Sequence, residues 1–482
     1  MFQDFFQELS SGLGVPVDQL RYVACIFLTY PTSLFYIKAI PQNSHFLKHV
    51  FSIVCTLFLF LFVHDQFQGF CHLALSCLVT YGILSKVKGS LGPKLIFVWA
   101  MGHMAYTHLY RQIYHYGDTK MDFSGPQMVW TIKLTMFAFN VYDGQVPEIQ
   151  LSPYQLSRRI TKLPSFIEFL GYILYSGGFF VGPAFEYTDY IRFVRSDPFR
   201  NAKTGEIDVP STIIPAIKCM LTGLICAVIP IFVYQKVALP TLVTPGFAHQ
   251  SFFARLFWIY VACTAERFKY YFAWLLAEGA CVLSGLGYCG KDKQGRHLWG
   301  AVTNVNILKV ELAENFRMVM ENWNIGTNLW LRNYVYLRIA PVGSKSTFGA
   351  QIATFATSAF WHGFYPGYYM TFLFGGIVNE QARFLRRCLR PWIVAAGSPA
   401  LKRLYDIVGW LVTAMCLNYV VIPFVLLNFK DSFYLYSKVH FCVHLGTLVM
   451  MLINQFRLLS PPRANISKAN PVVSEDPLKK TI

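Results

Sequence analysis

Apolar residues fill this chain in long, nearly unbroken runs, not in the alternation of a half-buried strand. Runs over residues 22–36, 50–63, 70–84, 213–234, 252–276, 404–427 and 433–456 reach or approach the roughly 20 residues that carry a helix across a 30 Å hydrocarbon layer. Others, over 95–110, 128–141, 166–180, 348–361 and 365–377, are interrupted by Gly, Pro or polar side chains. Together they predict about eleven membrane-embedded helices. The period-2 pattern of a transmembrane barrel is missing from these runs. The expected fold class is therefore all-α, integral and polytopic.

Polar residues are confined to short breaks. The segments 196–211 (SDPFRNAKTGEIDVPS) and 290–300 (GKDKQGRHLWG) read as surface loops. The opening MFQDFFQELSSGLG lacks a basic stretch, apolar core and cleavage site in series. It reads instead as a short amphipathic helix on the membrane surface. Residues 1–456 are expected to form one membrane domain, and 457–482 a polar tail.

Composition agrees: 54% of the 482 residues are hydrophobic and only 14% charged, where soluble domains carry about 25%. The formal charge of +17 raises the question of nucleic acid. Its placement excludes that reading. The cations gather at Lys86, Lys88 and Lys94, at Arg158, Arg159 and Lys162, at Arg192, Arg195, Arg200 and Lys203, and from Arg383 to Arg403. Such clusters between spans mark cytosolic loops, and they would also attract anionic head groups or a polyphosphate co-substrate. The twelve cysteines include no CxxC pair, and His440 and His444, one turn apart, lack a third ligand. No metal site is expected.

The chain ends Lys479-Lys480-Thr481-Ile482. A dilysine at this distance from the C-terminus resembles the signal that coat proteins read when returning membrane proteins to the endoplasmic reticulum. The tail would then be cytosolic, and the sequon Asn465-Ile466-Ser467 would stay unglycosylated.

Inside a membrane, polar side chains are costly unless paired or used, so three stretches draw attention. In Glu321–Trp330 (ENWNIGTNLW), read as one helix, Asn324 and Asn328 share a face, and Trp323, Thr327 and Trp330 share another. The bland alternative is an interfacial aromatic belt with amides joining helices. In 348–369, Gly349, Ala353 and Thr357 form a small-residue ridge that would allow close helix packing. His362 then closes that run, between Trp361 and Gly363 and just before the Pro366-Gly367 break. Desolvation favours a neutral imidazole there, which suits a general base, although a core histidine holding one hydrogen bond would look the same. Third, Glu266, Arg267 and Lys269 precede an apolar run that Glu278 and Gly279 interrupt. They read either as a snorkelling anchor or as a contact for a phosphate-bearing substrate.

At these residues the chain resembles the membrane-bound O-acyltransferases. The Trp323-Asn324 pair and SAFWHGFYPGYYMTF around His362 are similar to that family's asparagine and histidine signatures, in the form of its lysophospholipid-acylating branch. FNVYDG at 139–144, GGFFVGPAFEYTDY at 177–190 and RFKYYFAWLLAEGACVLSGLGYCG at 267–290 extend the likeness from about residue 15 to 456. It is greatest toward the fungal broad-specificity lysophospholipid acyltransferases. The resemblance implies helices around a central tunnel and transfer of an acyl group from acyl-CoA to a lysophospholipid hydroxyl. Acyl-CoA is then a co-substrate, with no permanently bound cofactor. It implies His362 as the catalytic histidine and Asn324 as its partner. Asn328, Trp323, Trp330, Trp361, Tyr368, Lys269 and Tyr270 are the candidate substrate contacts.

Three roles stay open for Asn324: orienting the hydroxyl, orienting the imidazole, or donating to the oxyanion. Ser358, one turn before His362, could in principle carry a covalent intermediate, but no orienting carboxylate is near it in sequence. Other acceptors (diacylglycerol, a sterol, a protein) fit the histidine motif less well. A transporter could use His362, Glu278 and the Asn324/Asn328 face as a polar path, but the repeated halves common in such proteins are not visible here.

Overall fold

In the computed structural model, the described residues are 2–118, 120–201, 203–234, 236–340 and 348–460. They fold almost wholly into helices; the described strands are the hairpin pair Gly290–Lys291 and His297–Leu298, which turns the expected 290–300 loop into a tight antiparallel clip. Lys479, Lys480 and Asn465 lie outside the described residues.

Among the described residues, five helices are long and apolar enough to cross a bilayer: Val17–Ala39, His45–Val63, Phe67–Lys86, Ile213–Val233 and Pro399–Leu426. A sixth crossing would come from Phe429–Lys438 and Cys442–Gln455, which meet at 80°. Leu91–Tyr114, Ser124–Asp143, Phe252–Ser284 and Pro366–Ala395 have the length as well, but carry polar or charged side chains within them. A polytopic helical membrane protein is what this describes. In bundles of this kind, polar groups face protein rather than lipid.

The chain divides into two compact units, each drawn from interleaved stretches. The first takes its residues from Met1–Ile225, Phe272–Asn304 and Leu329–Lys345. Its core is aromatic: Phe60, Trp130, Phe137, Tyr172, Tyr175 and Phe179 are all fully or almost fully buried. Several charges inside it are paired. Lys133 donates to the carbonyls of Tyr172 and Ile173, at 2.6 and 3.3 Å, capping the C-terminus of the Phe166–Ile173 helix. Its ammonium also lies 4.4 Å from the Phe185 ring centre. Glu186 accepts from Asn140, Tyr154 and Tyr334 at 2.7 Å each, and Arg338 forks onto Asp143. The Glu278 carboxylate accepts from the Thr303 hydroxyl at 2.7 Å and the Asn304 N–H at 3.3 Å. The helix runs unbroken through Glu278 and Gly279, where an interruption was expected. Glycine is needed there because a Cβ would sit 2.1 Å from the Tyr30 hydroxyl oxygen.

The second unit takes Cys226–Tyr271, Val305–Asn328 and Ser346–Ile482. One of its cores gathers Leu239, Phe247, Ile259, Tyr419, Ile422, Leu435 and Tyr436. His444 stacks on Phe374 at 3.9 Å and its Nδ1 is 2.7 Å from the Tyr419 hydroxyl, so this histidine is held as part of the packing.

Two expectations change in this unit. The cations from Arg383 to Arg390 are not in a loop: one helix continues from Pro366 to Ala395, since arginine is a good helix former and nothing earlier ends the pattern. Nor is Arg267 a snorkelling anchor. It lies within Phe252–Ser284, only 5% exposed. Its guanidinium forks onto Glu311 at 2.8 and 2.7 Å and donates to Asn418 Oδ1 at 2.6 Å. A buried guanidinium is tolerated because its partners are in place.

Candidate active site

His362 is the last residue of the helix Phe348–His362. Gly363 follows with φ of +124°, a conformation that favours glycine, and Pro366 opens the next helix at its first position. Gly367 is fixed by contact: a Cβ there would come within 1.9 Å of the Pro423 carbonyl oxygen. Its N–H donates to the Leu427 carbonyl at 2.9 Å. The helix start is thus docked against Ile422–Leu426, and that docking delivers three rings to the imidazole.

Phe372 stacks on the His362 ring at 4.9 Å and 22°. Phe424 meets it edge-on at 5.0 Å, and Tyr368 is tilted at 5.5 Å. Trp361 lies at 4.7 Å. The imidazole is half-buried in an aromatic box, a setting that limits water. Phe372 ends the PGYYMTF run, one turn beyond Tyr368, so its place was within reach of helical spacing. Phe424 comes from a distant helix and carried no local signal.

The asparagine segment differs from the single helix expected for it. The helix Phe316–Asn322 ends at Trp323, which is extended, and Asn324 turns left-handed with φ of +43°. A new helix, Ile325–Trp330, then begins. Asn324 therefore occupies a corner, a conformation that asparagine tolerates better than most residues. Its carbonyl still accepts from the Asn328 N–H at 2.9 Å. At Gly349, the first position of the small-residue ridge, nothing among the described residues lies within 4 Å of a Cβ, while Gly376 approaches the Phe355 ring closely.

Aromatic contacts join several of the candidate residues. Trp323 meets the rings of Tyr270 and Tyr271, each at 5.7 Å. Tyr368 faces His362. The Tyr271 hydroxyl donates to Glu311 at 2.6 Å, tying this wall to the Arg267 network. Trp323 and Tyr270 on one side, and Tyr368, Trp361 and His362 on the other, belong to one unit, with Asn324 at the corner beside Trp323. Lys269 is paired with Glu266 at 3.0 Å. Trp330 belongs to the other unit, fully buried with its indole N–H donating to Thr135 at 3.0 Å, the position of a core side chain.

Residues 108–424 match the membrane-bound O-acyltransferase family. The chain belongs to that family. It is an acyltransferase. Over 93% of its length it is 36% identical to a lysophospholipid acyltransferase of Schizosaccharomyces pombe, covering 88% of that protein. A lysophospholipid acyltransferase of Saccharomyces cerevisiae is 32% identical over 91% of the chain and 74% of its own length. A membrane-bound glycerophospholipid O-acyltransferase 2 of Homo sapiens is 31% identical over 93% and 87%.

Proposed function

We propose that this acyltransferase moves a fatty acyl group from acyl-CoA to the free hydroxyl of a lysophospholipid, mainly at sn-2, in phospholipid synthesis and remodelling. Its relatives are named for that acceptor class, and the observation that carries the chemistry is His362 at a helix break, ringed by Phe372, Phe424 and Tyr368. The neutral imidazole takes the proton of the lysolipid hydroxyl as that oxygen attacks the thioester carbonyl. The tetrahedral intermediate collapses, the C–S bond breaks, and the imidazolium returns the proton to the CoA thiolate. General-base catalysis of this kind contributes roughly 10²–10⁴ in rate. Asn324, at its corner, orients the acceptor or donates to the developing oxyanion; Tyr270, Trp323, Trp361 and Tyr368 wall the site, and Asn328 supports the corner through its N–H. Lys269, Trp330 and Ser358 are given no part in the reaction.

The acyl donor reaches His362 from the cytosolic side. Residues 1–456 act as one membrane domain, since each of its two units is built from interleaved stretches. The enzyme resides in the endoplasmic reticulum, its tail cytosolic and Lys479-Lys480 read by a retrieval coat. The test of the chemistry is His362→Ala, assayed in microsomes with acyl-CoA and lysophosphatidylcholine. Transfer should fall to background at normal expression; undiminished transfer would sink the reading.

A further inference from the structure

The second unit holds a cleft of about 870 Å³ that the reaction above does not use. Its lining comes from three places: the start of Phe316–Asn322, the start of Phe348–His362, and the C-terminal half of Pro366–Ala395. Arg383, Arg386, Arg387 and Arg390 recur at i, i+3, i+4 and i+7, which puts all four on one face of their helix. Arg317 closes the opposite wall. Five guanidiniums thus line the cleft against one lining carboxylate, Glu380, among the described residues.

That carboxylate does not neutralise the site. Glu380 is bonded to Arg383, lies 3.7 Å from Arg387, and serves to fix these two side chains in place. Gln351 holds Arg383 from the other side, accepting at 2.9 Å. Arg317 is paired with Glu321 at 2.7 Å. Arg386 and Arg390 bring the excess charge to the same face. Apolar side chains, Phe316, Phe348 and Val394, complete the lining. Guanidiniums crowded beside apolar surface repel one another unless an anion joins them, and their fork geometry matches phosphate oxygens. We infer that this cleft binds the phosphate-bearing head of an amphiphile.

Two sources carry that chemistry: the phosphorylated nucleotide of acyl-CoA and the head group of an anionic phospholipid. The first rests on the acyl-CoA reading above; the second does not, and neither measurement below depends on turnover. The purified full-length protein, in phosphatidylcholine nanodiscs, is titrated with adenosine 3′,5′-bisphosphate. In parallel, the selectivity with which it retains phosphatidic acid over phosphatidylcholine is read from co-purified lipid. Both are repeated with R386Q/R390Q and R386K/R390K. Affinity for the nucleotide should fall about tenfold in the glutamine pair, equivalent to about 1.4 kcal/mol, recover in part with lysines, and weaken with salt; that assigns the cleft to the acyl donor. Lost phosphatidic acid selectivity with unchanged nucleotide affinity assigns it to a lipid head group. If the folded glutamine pair leaves both unchanged, the inference is overturned. Should that pair fail to fold, the wild type decides: binding of both probes indifferent to salt overturns it as well.

Discussion

Asn324 combines two properties that substitution can separate. Its backbone is left-handed, with φ of +43°, and its amide is the group assigned to the reaction. Glycine adopts that backbone freely, whereas alanine meets a cost of about 1–2 kcal/mol there. Asn324→Gly is therefore expected to express and melt like the wild type while losing most turnover. Asn324→Ala should lose turnover and melt earlier as well. A glycine variant with full activity would leave the amide without a chemical part. The Arg267 network makes a second prediction at this scale. Removing one member of a buried pair strands the other, which costs about 3–5 kcal/mol, whereas removing both is often close to neutral. Arg267→Met should lower the melting temperature in detergent more than R267M/E311L does, although Asn418 loses a partner in both variants and Tyr271 loses its acceptor in the double variant. Equal losses would mean that the pair is not what holds these helices.

At the scale of elements, two glycines in neighbouring helices carry opposite expectations. Gly367 allows one helix start to touch the Pro423 carbonyl, and a Cβ would sit 1.9 Å from that oxygen. Gly367→Ala must push the helix start outward and move Tyr368 and Phe372 off the imidazole. Turnover should fall at least about tenfold, a loss of about 1.4 kcal/mol of transition-state stabilisation. Among the described residues nothing lies within 4 Å of a Cβ at Gly349, so Gly349→Ala should leave activity unchanged and gain up to about 1 kcal/mol of helix stability. This contrast marks what the sequence made legible. The Pro366-Gly367 break and the histidine before it could be read because proline and glycine act locally on the backbone. At Gly349 the expected close approach is not seen among the described residues, because spacing names a face without naming the neighbour that meets it. The corner at Asn324 was missed because no proline or glycine marks it; asparagine is a weaker signal for the left-handed region. The fate of Arg267 depended on Glu311 and Asn418, remote in sequence, and nothing near the arginine distinguishes a buried fork from an exposed anchor.

For the whole molecule, orientation follows from charge. Apolar helices decide that the chain is embedded, but they are symmetric with respect to the two leaflets; the lysines and arginines between and beyond them are not. The largest cluster, Arg383 to Arg403, sits where the helix Pro366–Ala395 ends and Pro399–Val420 begins, a connection that the proposed orientation puts in the cytosol. The following span, Pro399–Leu426, leads away from that side, and the bent pair Phe429–Lys438 and Cys442–Gln455 can lead back to it if it acts as one crossing. The proposed cytosolic tail agrees with that route, and Lys479 and Lys480 would then lie in the compartment where a retrieval coat binds. K479S/K480S should therefore shift the protein from the endoplasmic reticulum toward later compartments, seen by fluorescence microscopy of a tagged chain, without changing acyl transfer per molecule in detergent. The same topology requires Asn465 to remain unmodified in wild type and variant alike, since glycosylation occurs only in the lumen. A glycosidase-sensitive shift that Asn465→Gln abolishes would place the tail in the lumen, reversing the assignment of the Arg383–Arg403 connection together with the coat.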